Sequence, residues 1–148
     1  MNSKQKNSLE YSEPVIEQYS DNVVMEVMQQ KIEDDVSSKY VLIKHDYFSS
    51  DSEHGRELLK SFLNVLTHSD FKNLIIYLTD KGTKLLDANN PLYDTFCPLI
   101  LKSEMVIADD ESITFYGVSC STDSKISIQS INSIAEDIVF IPNILILE

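Results

Sequence analysis

Short apolar runs alternating with amphipathic stretches predict an α/β fold, a three-layer α/β/α sandwich around a mainly parallel sheet of four to five strands. Residues 40–46 and 74–78 are almost continuously apolar before ending in polar residues, as strands buried on both faces are. Further along, segments place apolar residues at i, i+3 and i+4, the spacing of one helix face. Helices interposed between strands favour right-handed βαβ units and therefore parallel pairing.

In chain order, residues 1–39 are polar, with one pattern of note: Val23, Met25 and Val27 are apolar, and so are Val24 and Met28. Residues 23–28 read as a strand, with an amphipathic helix as the alternative. Residues 31–39 are a charged linker, which sets a boundary between an N-terminal segment, 1–39, and an α/β domain, 40–148. The first domain strand is 40–46. Ser50 and Glu53 have the spacing of a capping box and open a helix whose inner face is Leu58, Leu59, Phe62, Leu63 and Leu66. His68 falls at that helix's negative end, where it serves as a cap. Residues 74–78 form the second strand, and Gly82 supplies a turn with positive φ after it. Asn90 and Pro91 are an N-cap and first-turn proline for a helix with Leu92, Phe96, Leu99 and Ile100 inward. Residues 112–118, rich in β-branched and aromatic side chains, read as the third strand. Ser130 caps a helix carrying Ile131, Ile134, Ala135 and Ile138, and 143–147 is the closing strand.

Composition narrows the function. The 148 residues carry a formal charge of −12, which argues against nucleic acid and against anionic membrane, since both need a basic surface. No apolar stretch approaches the ~20 residues that span a bilayer. The first ten residues hold no apolar signal core, so the expected location is cytoplasmic, where Cys97 and Cys120 are free thiols. Only three glycines occur, Gly55, Gly82 and Gly117, too few and too dispersed for a phosphate-cradling loop.

In open α/β sheets ligands collect beyond the carboxyl ends of the strands. Read from the sequence, those ends are residues 45–55, 79–82 and 116–123. They supply the candidate crevice residues Asp46, Gly55, Asp80, Gly82, Tyr116, Gly117, Ser119 and Ser121, and the candidate nucleophile Cys120. Gly55 admits two readings: close approach of a ligand, or tight seating of the helix on the sheet. His45, Asp46, Asp51, Glu53 and His54 lack the fixed spacing of a helical metal site and read as a solvated loop with a cap, so no metal is expected. Cys97 shares a helical face with Tyr93 and Ile100 and reads as packing.

The stretch Ser49-Ser50-Asp51-Ser52-Glu53-His54-Gly55-Arg56-Glu57-Leu58-Leu59-Lys60-Ser61-Phe62-Leu63 resembles the D-x-E-L-G-x-x-L-M-x-x-F-L signature of DsrE-like domains, nearest to the C-terminal module of YedF proteins. Residues 74–85 are similar to that family's second strand and turn, and 127–147 to its last helix and strand. The resemblance covers about residues 40–148. It implies a DsrE-like fold, a sulfurtransferase-like role in intracellular sulfur or selenium metabolism, homo-oligomers, and a protein partner that donates or accepts sulfur. No metal or organic cofactor is implied, because a thiolate attacking a persulfide needs none. YedF proteins begin with a TusA-like domain marked by Cys-Pro-x-Pro. Here Ser12-Glu13-Pro14-Val15-Ile16 has no cysteine. The family's C-G-x-C site falls on Tyr116-Gly117-Val118-Ser119, so both cysteines are replaced and Cys120 stands one residue late.

Two readings of Cys120 follow. A one-residue slip keeps it as a persulfide carrier, or the chain is a non-catalytic binding module that has lost the thiol. Turn amides near Ser121, Thr122 and Asp123 would lower a thiol's pKa. Asp109, Asp110, Glu111 and Asp123 would raise it, unless Lys125, Lys81 or Arg56 compensates.

Overall fold

The computed structural model describes residues 38–120 and 122–148. The strand proposed at 23–28, the linker up to residue 37, the Ser12–Ile16 stretch and Ser121 lie outside the described residues, while Ser38 and Lys39, expected in the linker, begin the first strand. Five strands, β1 (Ser38–Ile43), β2 (Asn73–Leu78), β3 (Met105–Asp109), β4 (Ile126–Gln129) and β5 (Leu145–Leu147), form one parallel sheet in the order β4-β3-β2-β1-β5. Between them run α1 (Glu53–Thr67), a 3-10 segment (Asp80–Leu86) with α2 (Tyr93–Lys102), α3 (Asp110–Tyr116) and α4 (Ile131–Phe140).

The strand order dictates where the helices lie. The chain steps from β1 to β4 in one direction, so right-handed crossovers put α1, α2 and α3 on one face. It then turns back past β1 to reach β5, and the same handedness puts α4 on the other. Packing follows that division. Val41, Ile43, Leu74, Ile76, Leu78, Val106 and Ala108 interlock with Leu59 and Leu63 of α1 and with Phe96 and Leu99 of α2. On the opposite face Tyr77 and Ile107 meet Ile134 of α4, with Tyr40, Leu42 and Ile75 only partly covered.

The parallel three-layer architecture is the one the sequence predicts, but two of its elements differ from expectation. Residues 112–118 are not a strand. Asp109 accepts a hydrogen bond from Glu111 N at 3.0 Å and starts α3, and Gly117 ends it with a left-handed φ of 62°. The N-cap and the left-handed glycine override the β propensity of Ile113, Thr114, Phe115 and Tyr116. The third strand is instead Met105–Asp109, and the edge strand β4 was not foreseen as a separate element.

Caps and glycines also shift. The α1 cap is Ser52, whose hydroxyl accepts from Gly55 N at 3.0 Å, rather than Ser50. Gly55 seats against its own loop: a Cβ there would stand 1.8 Å from Ser50 O. Gly82 does not have positive φ. It is needed because a Cβ would stand 2.1 Å from Ile43 O, and the left-handed residue of that turn is Asp80, φ 52°. The second helix starts at Tyr93, with Asn90 accepting from Leu92 N before it. His68 and Ser130 cap as expected: His68 Nδ1 lies 2.9 Å from Asn64 O, and Ser130 Oγ accepts from Ser133 N at 3.2 Å.

Candidate functional site

Beyond the carboxyl ends of β1 and β2 the chain gathers a polar and aromatic group. Leaving β1, the His45 ring stacks on Tyr47 with centroids 4.7 Å apart and planes 2° from parallel. His45 Nδ1 is buried without a hydrogen-bond partner among the described residues. Asp46 accepts from Asn90 Nδ2 at 3.0 Å. Leaving β2, Asp80 receives the Tyr116 hydroxyl at 2.6 Å, and its own N–H donates to Ser112 Oγ at 3.0 Å. Ser112 in turn donates to Asp109 at 2.6 Å, so Asp80 is held from both sides in its left-handed conformation. Two lysines of the 3-10 segment lie on the rings: Lys81 Nζ is 5.8 Å from the Tyr47 centroid and 3.8 Å from Asp51, and Lys84 Nζ is 5.0 Å from that of Tyr116. The bond to Asp80, with desolvation and the nearby carboxylates and Tyr47 adding to it, pushes the Tyr116 phenol up to about 12.

Of the expected crevice residues, Asp46, Asp80, Gly82 and Tyr116 therefore belong to one neighbourhood. Gly55 lies beneath the loop, and Gly117 is the α3 cap. Ser119 points its N–H elsewhere, donating to Asp87 at 3.1 Å. His45, Tyr47, Lys84 and Ser112 were absent from the expected crevice. Only the rule that ligands gather past strand ends pointed near them, because their meeting depends on α3 being a helix.

Cys120 follows a helix, not a strand. It forms an isolated antiparallel bridge with Asp87 and packs half-buried against the core. Burial, and then the Asp87 carboxylate, push its thiol up from the ordinary cysteine value. Amides of Asn89 and Ser119 hold Asp87 low, so that carboxylate is charged. The cations that would compensate are engaged elsewhere: Lys125 Nζ donates to Leu101 O at 2.6 Å and Ser103 O at 2.9 Å, Lys81 reaches Asp51, and Arg56 reaches Asp51 at 3.5 Å. Cys120 lines a cavity of about 440 Å³ with Thr122, Asp123, Ser124, Ile126 and Ile128, none of which belongs to the Tyr116–Asp80 group. Cys97 is a free, half-buried thiol on α2. Among the described residues no group of three His, Cys, Asp or Glu side chains is arranged to hold a metal ion, and no helix is long and apolar enough to cross a membrane.

No protein-family model matches the chain, and no curated protein matches it. Solved structures match in fold. The ychN protein from E. coli aligns with a TM-score of 0.50 at 13% identity, over 74% of this chain and 99% of that one. A conserved protein of unknown function from Bacteroides thetaiotaomicron aligns with a TM-score of 0.50 at 15% identity, over 74% and 95%. At such identities the likeness is one of fold, and the fold is the DsrE-like α/β sandwich.

Proposed function

We propose that this chain is a DsrE-like binding module whose ligand enters the crevice past β1 and β2, and that the family's persulfide chemistry has been lost from it. The observation that carries the reading is His45 Nδ1, a buried polar atom without a hydrogen-bond partner among the described residues, on a ring already fixed by Tyr47. Buried polar groups are nearly always paired, so an orphan beside a cluster of polar groups calls for a partner from outside. Tyr47 and Tyr116 offer flat apolar surface, Lys81 and Lys84 donors, and Asp46 and Asp80 acceptors, which suits a small polar ligand. The test is NMR on the isotope-labelled chain with a panel of amino acids, nucleosides, phosphate and sulfate. The expected result is a ligand that shifts residues 45–47, 80–84 and 116 and is lost in Tyr116→Phe/Lys84→Ala. Shifts confined to the neighbourhood of Cys120 would refute the reading.

A second reading keeps the sulfur role, with Cys120 taking sulfane sulfur from one protein and passing it to another within a homo-oligomer. What favours it is the open cavity beside the thiol, which gives a reagent access. Treatment with polysulfide followed by intact mass measurement decides: a gain of one sulfur on Cys120, absent from Cys120→Ser, supports the relay, and an unmodified thiol removes it.

A further inference from the structure

The α4 side of the sheet is thinly covered. Among the described residues one ten-residue helix, about 15 Å long and 10 Å across, lies on five strands spaced over about 19 Å, so roughly half that face carries no described helix. On the other face β1 and β2 are sealed: Val41, Ile43, Leu74 and Ile76 have no exposed surface. On the α4 face, Tyr40 pairs in register with Ile75, and Leu42 with Tyr77. The strip beside α4 forms an open groove of about 640 Å³, walled by Tyr40, Ile75 and Tyr77 and by Phe140 and Ile141 at the end of α4. Phe140 is 82% exposed.

Two carboxylates, Glu136 and Asp137, complete the lining. Among the described residues neither has a cation within ion-pair distance, and Asp137 accepts from the Tyr77 hydroxyl at 3.4 Å. Their place on the helix is unfavourable. They stand in the second half of α4, whose last turn holds no basic residue, close to the end where the backbone dipole is already negative. Apolar floor, aromatic rim and unneutralised negative pole together specify an occupant with an apolar anchor and positive charge. A second copy seated symmetrically on the groove would bring Glu136 and Asp137 against themselves, which like charges oppose.

We infer that this groove docks a basic segment of a partner protein, with an aromatic or aliphatic side chain between Tyr40, Ile75 and Phe140 and lysine or arginine beside Glu136 and Asp137. The site is on the opposite side of the sheet from α1, α2 and α3, and the inference stands independently of the strand-end crevice.

The test titrates the full chain with the peptide Lys-Trp-Lys-Lys-Leu-Lys and with its counterpart carrying glutamate for every lysine. The lysine peptide is expected to bind at least tenfold tighter and to shift residues 40, 75, 77 and 136–141. It is expected to weaken at least tenfold in Glu136→Gln/Asp137→Asn, and likewise in Phe140→Ser, whose exposed position leaves the fold intact. Glu57→Gln/Glu104→Gln, which removes the same charge from exposed sites elsewhere, is expected to leave binding unchanged and so separates the groove from general attraction to an acidic protein. Equal binding of the two peptides, equal weakening by both double variants, or no binding would overturn the inference. So would a dimer of the chain that Phe140→Ser dissociates.

Discussion

His45 and Cys120 show why residue type alone does not assign function. His45 read in sequence as part of a solvated loop. In the fold its ring is flat against Tyr47 and Nδ1 has no hydrogen-bond partner among the described residues. Phenylalanine there would keep the stack and remove the orphan atom, whose unmet hydrogen bond costs about 1 kcal/mol. His45→Phe is therefore expected to melt a few degrees higher while losing the crevice ligand, which thermal denaturation and NMR titration measure together. Tyr116 gives a pH signature. Its phenol is raised from the ordinary value near 10 to about 12 because the neutral form donates to Asp80. Its contribution to stability is accordingly complete below pH 10 and lost as pH rises through 12, the folded state holding the proton longer than the unfolded. Ultraviolet titration is expected to show a late-ionising tyrosine that Tyr116→Phe removes, alongside that of Tyr77, raised to about 12 by burial and Asp137.

Among the elements, β1, β2 and α1 were legible from their hydrophobic pattern, and α4 because pattern and the Ser130 cap agreed. Leu59, Leu63 and Leu66 face inward as their spacing requires, whereas Phe62, expected beside them, is exposed. Residues 105–118 were not, because propensity and punctuation disagreed: the Ile-Thr-Phe-Tyr run favours a strand, while Asp109 and Gly117 mark a helix between them. Reading those two signals first would also have exposed the apolar run Met105–Asp109 as β3. That misreading left Ser112 out of the candidate crevice and set Cys120 at a strand end it does not occupy. The entry to α1 offers a separate test of the capping assignment. Ser52→Ala is expected to cost about 1 kcal/mol and Ser50→Ala clearly less, since the Ser52 hydroxyl holds the Gly55 amide. Gly55→Ala, which would press a methyl group on Ser50 O, is expected to cost about 1–3 kcal/mol. Denaturant midpoints of the three variants check the order.

At the scale of the whole molecule, one reversal of chain direction orders everything. Stepping from β1 to β4 stacks three helices on one side, and returning for β5 leaves the other, among the described residues, to α4. Alternation in the sequence was enough to predict parallel strands between two helical layers. The strand order, and so the uneven covering of the two faces, depends on long-range pairing that local pattern does not carry. The same topology separates the polar and aromatic group past β1 and β2 from the thiol beside β4. The claim that function lies at the first and not the second is tested most directly by alkylating Cys120 in a Cys97→Ser background across pH. A rate midpoint above that of an ordinary thiol is expected, as burial and the Asp87 carboxylate require. A midpoint well below the ordinary thiol value near 8.5 would contradict it and return the site to the cysteine.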